Sequence, residues 1–421
     1  MSQVIAAPSA KAVTAPSPHE VLRKILKPFA SLTLTVILLG LCMVLVLCGT
    51  LAQIDHGIWT VVRVYFRSWY VWLPLQLFFH RSIVIPQWIG IPFPGGWTLG
   101  FALLINLLAA HTTRFQLRLK RAGIWLIHSG IILLLAGELL TGLFATEGQM
   151  VIGEGDATNF IQDSRHYELA FVDSSNPSED QVVAVPASQL TNGAKISAPK
   201  LPVDIEVVQY MPNSRALRRP PANNPATTGF GEKEWVEETP VVSGVDTEGE
   251  QDFPSAYVRL RDKSTHADLG VWLVSLYFQS KLQPIPQTVD AAGKSYQMVF
   301  WNKRTYKPYS IYLQKFTHDK YIGTETPKDY RSNIRLTDPE LSTNRETEIY
   351  MNAPMRYRGE TFYQSGVLKP QFLGKKGTIL QVVHNPSWQL PYLACILVSG
   401  GMLVHFGMYL VEFLKKRRSQ A

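Results

Sequence analysis

Three histidines fall at a similar depth in the apolar parts of this chain. His111 closes one hydrophobic run, His128 lies just inside the next, and His405 precedes the end of the last. At 1.5 Å per helical residue, His128 is expected roughly 8 Å and His405 roughly 9 Å from the same membrane face. An ionisable side chain at that depth is costly and marks a functional site by default. Neutral imidazole is also a ligand for iron, including haem iron. The competing expectation is structural, because a membrane histidine also serves as a hydrogen bond to a neighbouring helix. Residue chemistry alone leaves both open for all three.

The elements that must position these side chains are four apolar runs. The first spans about Ala30–Gln53 behind Arg23, Lys24 and Lys27, and the second starts near Trp97 and ends near His111. The third is Gly123–Leu143, and the fourth is about Leu390–Val411, followed by Lys415, Lys416, Arg417 and Arg418. Between the second and third lies a turn with Arg114, Arg118, Lys120 and Arg121. The positive-inside rule then gives one answer: both termini and this turn are cytoplasmic, and residues 144–389 lie outside. The fold expected is a membrane protein of four transmembrane α-helices with a large extracytoplasmic β-rich domain between helices 3 and 4. Residues 29–143 form the three-helix membrane region, and 390–421 the fourth helix and a basic tail.

Residues 1–28, rich in Ala, Pro and Ser at the start, read as a disordered cytoplasmic tail. The apolar run behind them is too long for a signal-peptide core and reads as an anchor. The connection 54–96 and its junction with the next run hold Trp59, Trp69, Trp72, Trp88 and Trp97, five of the ten tryptophans. It is expected to lie along the interface, partly as an amphipathic helix near Trp59–Leu73. The run Trp69–Ile85, interrupted by His80 and Arg81, is not taken as a further span.

The outer segment reads as short β-branched and aromatic runs bounded by turn residues, among them Tyr167–Val172, Val203–Tyr210, Val271–Phe278 and Ser310–Phe316. A sandwich or barrel-like β domain follows, with 211–254 as a flexible insertion. The chain has three cysteines, Cys42, Cys48 and Cys395, all within predicted spans. Cys48 and Cys395 share the outer leaflet and are expected to act as small hydrophobes. No C-x-x-C-H or C-x-x-C occurs, which argues against a c-type cytochrome and a thioredoxin-like enzyme. The net charge of +8 gathers beside the apolar runs, so membrane orientation explains it better than nucleic-acid binding. Glu138, in the outer half of the third run, is expected to reach toward the outer surface. His318 beside Asp319 reads as structural, and no nucleophile–base pair suggests a catalytic residue.

Three stretches resemble a known family. They are Arg121-Ala-Gly-Ile-Trp-Leu-Ile-His128-Ser-Gly continuing to Glu147-Gly-Gln-Met and Glu154-Gly; Phe316-Thr-His-Asp-Lys-Tyr-Ile-Gly-Thr324 with Pro327-Lys-Asp-Tyr-Arg-Ser332; and Met351-Asn-Ala-Pro-Met-Arg-Tyr-Arg-Gly-Glu-Thr-Phe-Tyr-Gln-Ser365. Together with the arrangement of spans, they resemble ResB/CcsB, the membrane subunit of System II cytochrome c maturation. The resemblance implies a non-autonomous subunit of a cytochrome c synthase, working with a CcsA/ResC-like membrane partner. It implies haem b as a transient substrate, carried to the outer face and joined to the C-x-x-C-H thiols of apocytochrome c. It also implies that His128 is a histidine of the inner haem site, with its axial partner supplied by the other subunit. His111 and His405 are added from depth alone. The W-x-W-D motif of the partner is absent, and His384-Asn-Pro-Ser-Trp-Gln departs from the more usual Asp-Pro-Gly. The alternatives are an anchored β scaffold without haem contact and, less supported, a transporter.

Overall fold

The computed structural model describes residues 21, 24–54, 56–80, 82–114, 119–177, 179–219, 221, 223–242, 252–281, 286–324, 327–368 and 374–420. Most of the expected tail 1–28, and Arg118 in the basic turn, lie outside these. The chain divides into a membrane unit, 1–142 with 387–421, and a β unit, 143–386.

In the membrane unit, three helices are long and apolar enough to cross a bilayer: Leu32–Ala52, Leu119–Phe144 with its 3-10 lead-in, and Leu390–Arg418. Helix α1, Leu32–Ala52, is capped by Ser31, whose side chain accepts from the Leu34 amide. A single α turn, α2 at Ile58–Val61, runs into a π turn at Val62–Phe66, and strands β1 (Tyr70–Pro74) and β2 (Gly90–Pro94) pair antiparallel. The amphipathic helix expected at Trp59–Leu73 therefore stops after two turns. Tyr-Val-Trp-Leu is strong strand sequence, and pairing with Ile91–Phe93 satisfies its backbone. Tyr65 and Val61 instead fill a cluster against Cys48 and Ala52 of α1.

Helix α3 covers Gly96–Arg114. Asn106, His111, Thr112 and Thr113 make it less apolar than the other three, so its crossing is not evident from length and composition. Asn106 joins it to α1: the amide donates to the Phe29 and Ser31 carbonyls at 2.6 and 3.1 Å, and its oxygen accepts from Thr35 at 2.7 Å. Helix α4 is Ala122–Phe144. Its glycines 123, 130 and 137 recur every seventh residue and receive the last long helix, Leu390–Arg418. A Cβ on Gly130 would sit 2.6 Å from Val398 Cγ2, and one on Gly123 2.6 Å from the His405 amide nitrogen. Backbones approach this closely only over small residues.

The β unit is built from β3 (Thr146–Gly153), β4 (Ala157–Asp173), β5 (Gln181–Pro186), β6 (Lys195–Ile196), β7 (Val203–Met211), β8 (Ser214–Leu217), β9 (Trp235–Glu238), β10 (Ser255–Asp262) and β11 (Asp268–Ser275). After α5 (Leu276–Lys281) come β12 (Gln287–Ala291), β13 (Lys294–Lys320), β14 (Pro327–Asp338), β15 (Thr343–Tyr350), β16 (Met355–Tyr357), β17 (Glu360–Leu368) and β18 (Gly377–His384); α6 is Leu390–Arg418. One sheet runs β15-β14-β13-β4-β3-β18-β17-β16, with β5 on β4 and β12 on β13; a second is β11-β10-β7-β6. All of the pairings between these strands are antiparallel.

Strand β13 serves two cores. Its first half, with Met298 and Phe300, and the end of β4, with Leu169 and Phe171, pack on Ile205, Val258 and Val274 of the second sheet as a sandwich. Its second half, with Tyr309, Ile311 and Leu313, faces Ile334, Met355, Phe362 and Leu380 contributed by the curling remainder of the large sheet. The register against β4 breaks between Tyr306 and Ile311, where Pro308 cannot donate to a ladder. Three of the strand runs read from sequence lie inside β4, β7 and β13. The fourth, Val271–Phe278, ends early, its last residues turning into α5. Within 211–254, the β8-β9 hairpin and a 3-10 turn at Gly229–Glu232 are folded onto the unit, with Phe230 edge-on to Phe278 at 4.8 Å. Residues 243–251 of that stretch are outside the described set.

Candidate functional site

The histidines are placed by the α3–α4 pair. On α3, His111 follows Leu107 by one turn, and its Nδ1–H donates to the Leu107 carbonyl at 3.2 Å. A carbonyl only accepts, so that bond places a proton on Nδ1. On α4, Trp125 and His128 are three residues apart and share a face. The His111 and His128 rings lie 5.2 Å apart at 67°, and Trp125 lies edge-on to His111, also at 5.2 Å. Both histidines and Trp125 line a cleft of about 580 Å³, with otherwise mostly apolar walls from Leu103, Leu107, Ile124 and Ile131. This volume is within the roughly 300–1,000 Å³ of ordinary small-molecule sites. Arg121 stands in the same lining. The cleft thus offers imidazole nitrogen, an apolar wall and one fixed cation, a combination suited to a flat apolar molecule with a metal centre and acidic groups.

His405 is not part of this lining. It packs over Gly123 on α4, with its ring 4.7 Å from Tyr409 and 5.6 Å from Phe406, and its Nδ1 is buried without a hydrogen-bond partner. Depth put it level with His128, but the glycine stripe aims it at the α4 backbone. Of the three histidines, the structure brings His111 and His128 together and leaves His405 apart. Among the described residues, no three His, Cys, Asp or Glu side chains gather as a metal centre. The three cysteines are free: Cys48 is buried in the α1 cluster, and Cys395 is exposed.

Sequence reasoning missed a second cleft. It has a volume of about 350 Å³ and is lined by Arg67, Glu138, Phe66, Trp97, Phe101 and Leu135, among others. Leu135 lines the first cleft as well. A Cβ at Gly142 would lie 3.9 Å from Arg67 Nη2, so the guanidinium sits beside α4 one turn beyond Glu138. Among the described residues, neither Arg67 nor Glu138 has an ion-pair partner. The available signal was Glu138 itself, an acid within an apolar run.

In the β unit, the motif residues are held by one another. The Arg358-Gly359 turn joins β16 to β17 with φ of 46° and 77°, a two-residue hairpin loop whose second position needs glycine. Arg358 donates to both oxygens of Asp338, at 2.7 and 3.0 Å, and the Tyr357 hydroxyl donates to the same carboxylate at 2.6 Å. Burial pushes the Asp338 carboxyl up, but these donors outweigh it and hold it below the usual range. Glu360 accepts from Lys307 at 2.6 Å and from the Tyr309 hydroxyl. Burial and this bond push the Tyr309 phenol well above its ordinary value. His318 stacks on Tyr330 at 4.7 Å, across the β13–β14 ladder. Glu154 accepts from the Phe316 amide at 3.3 Å.

Two comparisons bear on this architecture. Residues 287–376 match the ResB-like family. The chain is also 23% identical over 305 residues to Protein NrfI of Wolinella succinogenes, an alignment that covers 72% of this chain and 29% of that protein. The chain therefore spans less than a third of the length of that relative. The family match runs from β12 to the threshold of β18 and contains the Phe316–Ser332 and Met351–Ser365 motifs. On these matches, the likeness read from the sequence holds: residues 287–376 are similar to the ResB-like family, and most of the chain is similar to NrfI.

Proposed function

We propose that this chain works in cytochrome c biogenesis, as a membrane subunit that holds haem b in the α3–α4 cleft before covalent attachment. The observation that carries this reading is the pairing of His128 and His111 in an apolar cleft that also contains Arg121. Arg121 offers a guanidinium fork to a propionate carboxylate, and an imidazole of the pair offers nitrogen to the iron. In this reading all four runs, α3 included, span the membrane, both termini are cytoplasmic, and the β unit lies outside. A CcsA/ResC-like membrane subunit supplies what this chain lacks, and apocytochrome c brings the thiols that add across the haem vinyl groups. No residue of this chain is assigned a catalytic role in that addition. Membrane lipid surrounds the helices, and nucleic acid has no part.

A second reading draws on the position of the family match, which lies wholly in the β unit. There the chain would be a scaffold for apocytochrome or a partner, without haem contact. Co-expression with a CcsA/ResC-like partner and an apocytochrome, in cells lacking their own maturation system, separates the two. The haem-holding reading expects holocytochrome with wild type and a loss of tenfold or more, by about the 1.4 kcal/mol rule, with His128→Ala. Unchanged yield from His128→Ala, with no haem on the purified complex, would leave the scaffold.

A further inference from the structure

The cleft at Arg67 and Glu138 sits at a definite level of the membrane unit. Glu138 lies six residues before the end of α4, roughly 9 Å along the helix. At that level α4 meets the start of α6. A Cβ on Gly137 would lie 3.0 Å from Leu390 Cβ, and the Thr141 hydroxyl bonds to Ser387 Oγ at 2.8 Å. Trp388 and Tyr392 stand exposed beside this contact, and Trp97, which lines the cleft, opens α3. Tryptophan and tyrosine at helix ends mark the boundary between the hydrocarbon core and the lipid headgroups.

Arg67 reaches this level from a fixed base. It closes the π turn, with its amide bonded to the Val62 carbonyl at 2.8 Å. A Cβ on Gly49 of α1 would lie 2.7 Å from the Phe66 ring, and one on Gly96 would run into the Phe66 carbonyl, so the turn is pinned between α1 and α3. The guanidinium meets α4 at Gly142, one turn beyond Glu138, a spacing that sets neighbouring side chains about 5–6 Å apart. Both charged residues are exposed, and they do not pair with each other. The rest of the lining is mostly apolar, with Phe66, Leu104, Leu135 and Leu139 beside Trp97 and Phe101, whose rings stack at 5.9 Å.

A cation and an anion one turn apart, at the headgroup boundary and over apolar walls, fit a molecule built to the same plan. An aminophospholipid joins a phosphate to a primary ammonium through a short bridge and carries hydrocarbon tails. Its phosphate oxygens suit the guanidinium fork, which donates two parallel hydrogen bonds. Its ammonium brings three N–H donors to the Glu138 carboxylate, which only accepts. A trimethylammonium headgroup offers Glu138 charge without a donor, and an anionic headgroup offers it only repulsion. Opposed charges of this kind discriminate between ligands more than they add to affinity.

We infer that this cleft binds a zwitterionic aminophospholipid, with its phosphate on Arg67, its ammonium on Glu138 and an acyl chain along the apolar wall. Exposure of both charges suits such a ligand, which enters sideways from the bilayer and keeps its headgroup at the surface. The site does not depend on haem in the first cleft.

The test is native mass spectrometry of the full-length chain in detergent, equilibrated with phosphatidylethanolamine, phosphatidylcholine and phosphatidylglycerol in equal amounts and with the same acyl chains. Wild type is expected to retain one phosphatidylethanolamine several-fold over either competitor. Arg67→Gln is expected to lower that retention about tenfold, as loss of a charge-assisted hydrogen bond to the phosphate would give. Glu138→Gln is expected to abolish the preference and to raise retained phosphatidylglycerol several-fold, a gain that misfolding cannot produce. Equal retention of the three lipids, phosphatidylglycerol retained best by wild type, or a preference indifferent to both substitutions overturns the site. So does loss of every retained lipid when a CcsA/ResC-like partner is co-purified, an outcome that assigns the cleft to a protein span.

Discussion

The motif carboxylates of the β unit and the histidines of the α3–α4 cleft are held in opposite ways. In the β unit, Asp338 is fully buried, yet it receives three hydrogen bonds from Tyr357 and Arg358, and Glu360 is matched by Lys307 and Tyr309. In the membrane unit, Arg67 and Glu138 are exposed and have no ion-pair partner among the described residues. His128 and His111 meet in a cleft rather than in a packed core. A satisfied buried network specifies a fold, whereas polar groups left open in an apolar region await a ligand. The Met351–Ser365 motif thus describes how the β unit is held together, and the proposed haem-holding role rests on less conspicuous residues of the helices.

Substitutions sharpen this contrast. The largest effect is expected from His128→Ala, with haem occupancy falling tenfold or more and thermal stability of the unliganded protein little changed. An absorption spectrum and a melt on the same sample check both halves. In the β unit the balance reverses. Phe362→Ala removes a fully buried ring and should cost about 3–5 kcal/mol in denaturant unfolding, without moving the haem spectrum of protein that remains folded. Gly130→Leu pushes a side chain into Val398 and the Ala394 carbonyl and should destabilise the α4–α6 pair by about 1–3 kcal/mol, read as an earlier melt in detergent.

A smaller effect separates the units by pH. The Lys294 ammonium, hydrogen-bonded to Asp173, holds that carboxyl down at about 2. Its folded value lies below its unfolded value of about 3.9, so its contribution is complete above that value and is lost as pH falls toward 2. Asp262, held down by the Ser264 hydroxyl and neighbouring amides, acts in the same direction. Circular dichroism of the β signal should therefore weaken between pH 4 and 2, by the linkage just described, and Lys294→Met should raise the onset. The smallest effect belongs to Arg335→Ala, which breaks an exposed bridge to Glu346 and should cost under about 1 kcal/mol.

Much of this fold was legible in the sequence where one physical rule dominated. Three long apolar runs became three helices of membrane length, because an unbroken run of about twenty such residues has no other stable use. Alternating β-branched and aromatic runs became strands for a similar reason. The Trp59–Leu73 stretch was misread because its helical periodicity competed with strand pairing to Ile91–Phe93, a partner that only tertiary structure supplies. The second half of Val271–Phe278 turned into α5 for want of a continuing ladder. At the site, depth along a helix was readable, and it set His111, His128 and His405 level without saying which of them meet. Azimuth was not: His405 shares their depth but faces Gly123, because the direction of the glycine stripe fixes which helix meets which. Arg67 was invisible to this reasoning, since it lies outside every apolar run and reaches α4 only through the fold of the π turn.

The central claim is that the α3–α4 cleft, and not the β unit, receives haem. The most direct measurement is the absorption and electron paramagnetic resonance spectrum of the full-length protein purified with bound haem, in wild type, His128→Ala and His111→Ala. The account predicts an imidazole-ligated low-spin spectrum in wild type, its loss in His128→Ala, and a shifted ligand field in His111→Ala. An imidazole-ligated spectrum that survives both substitutions unchanged would place the haem elsewhere and contradict it.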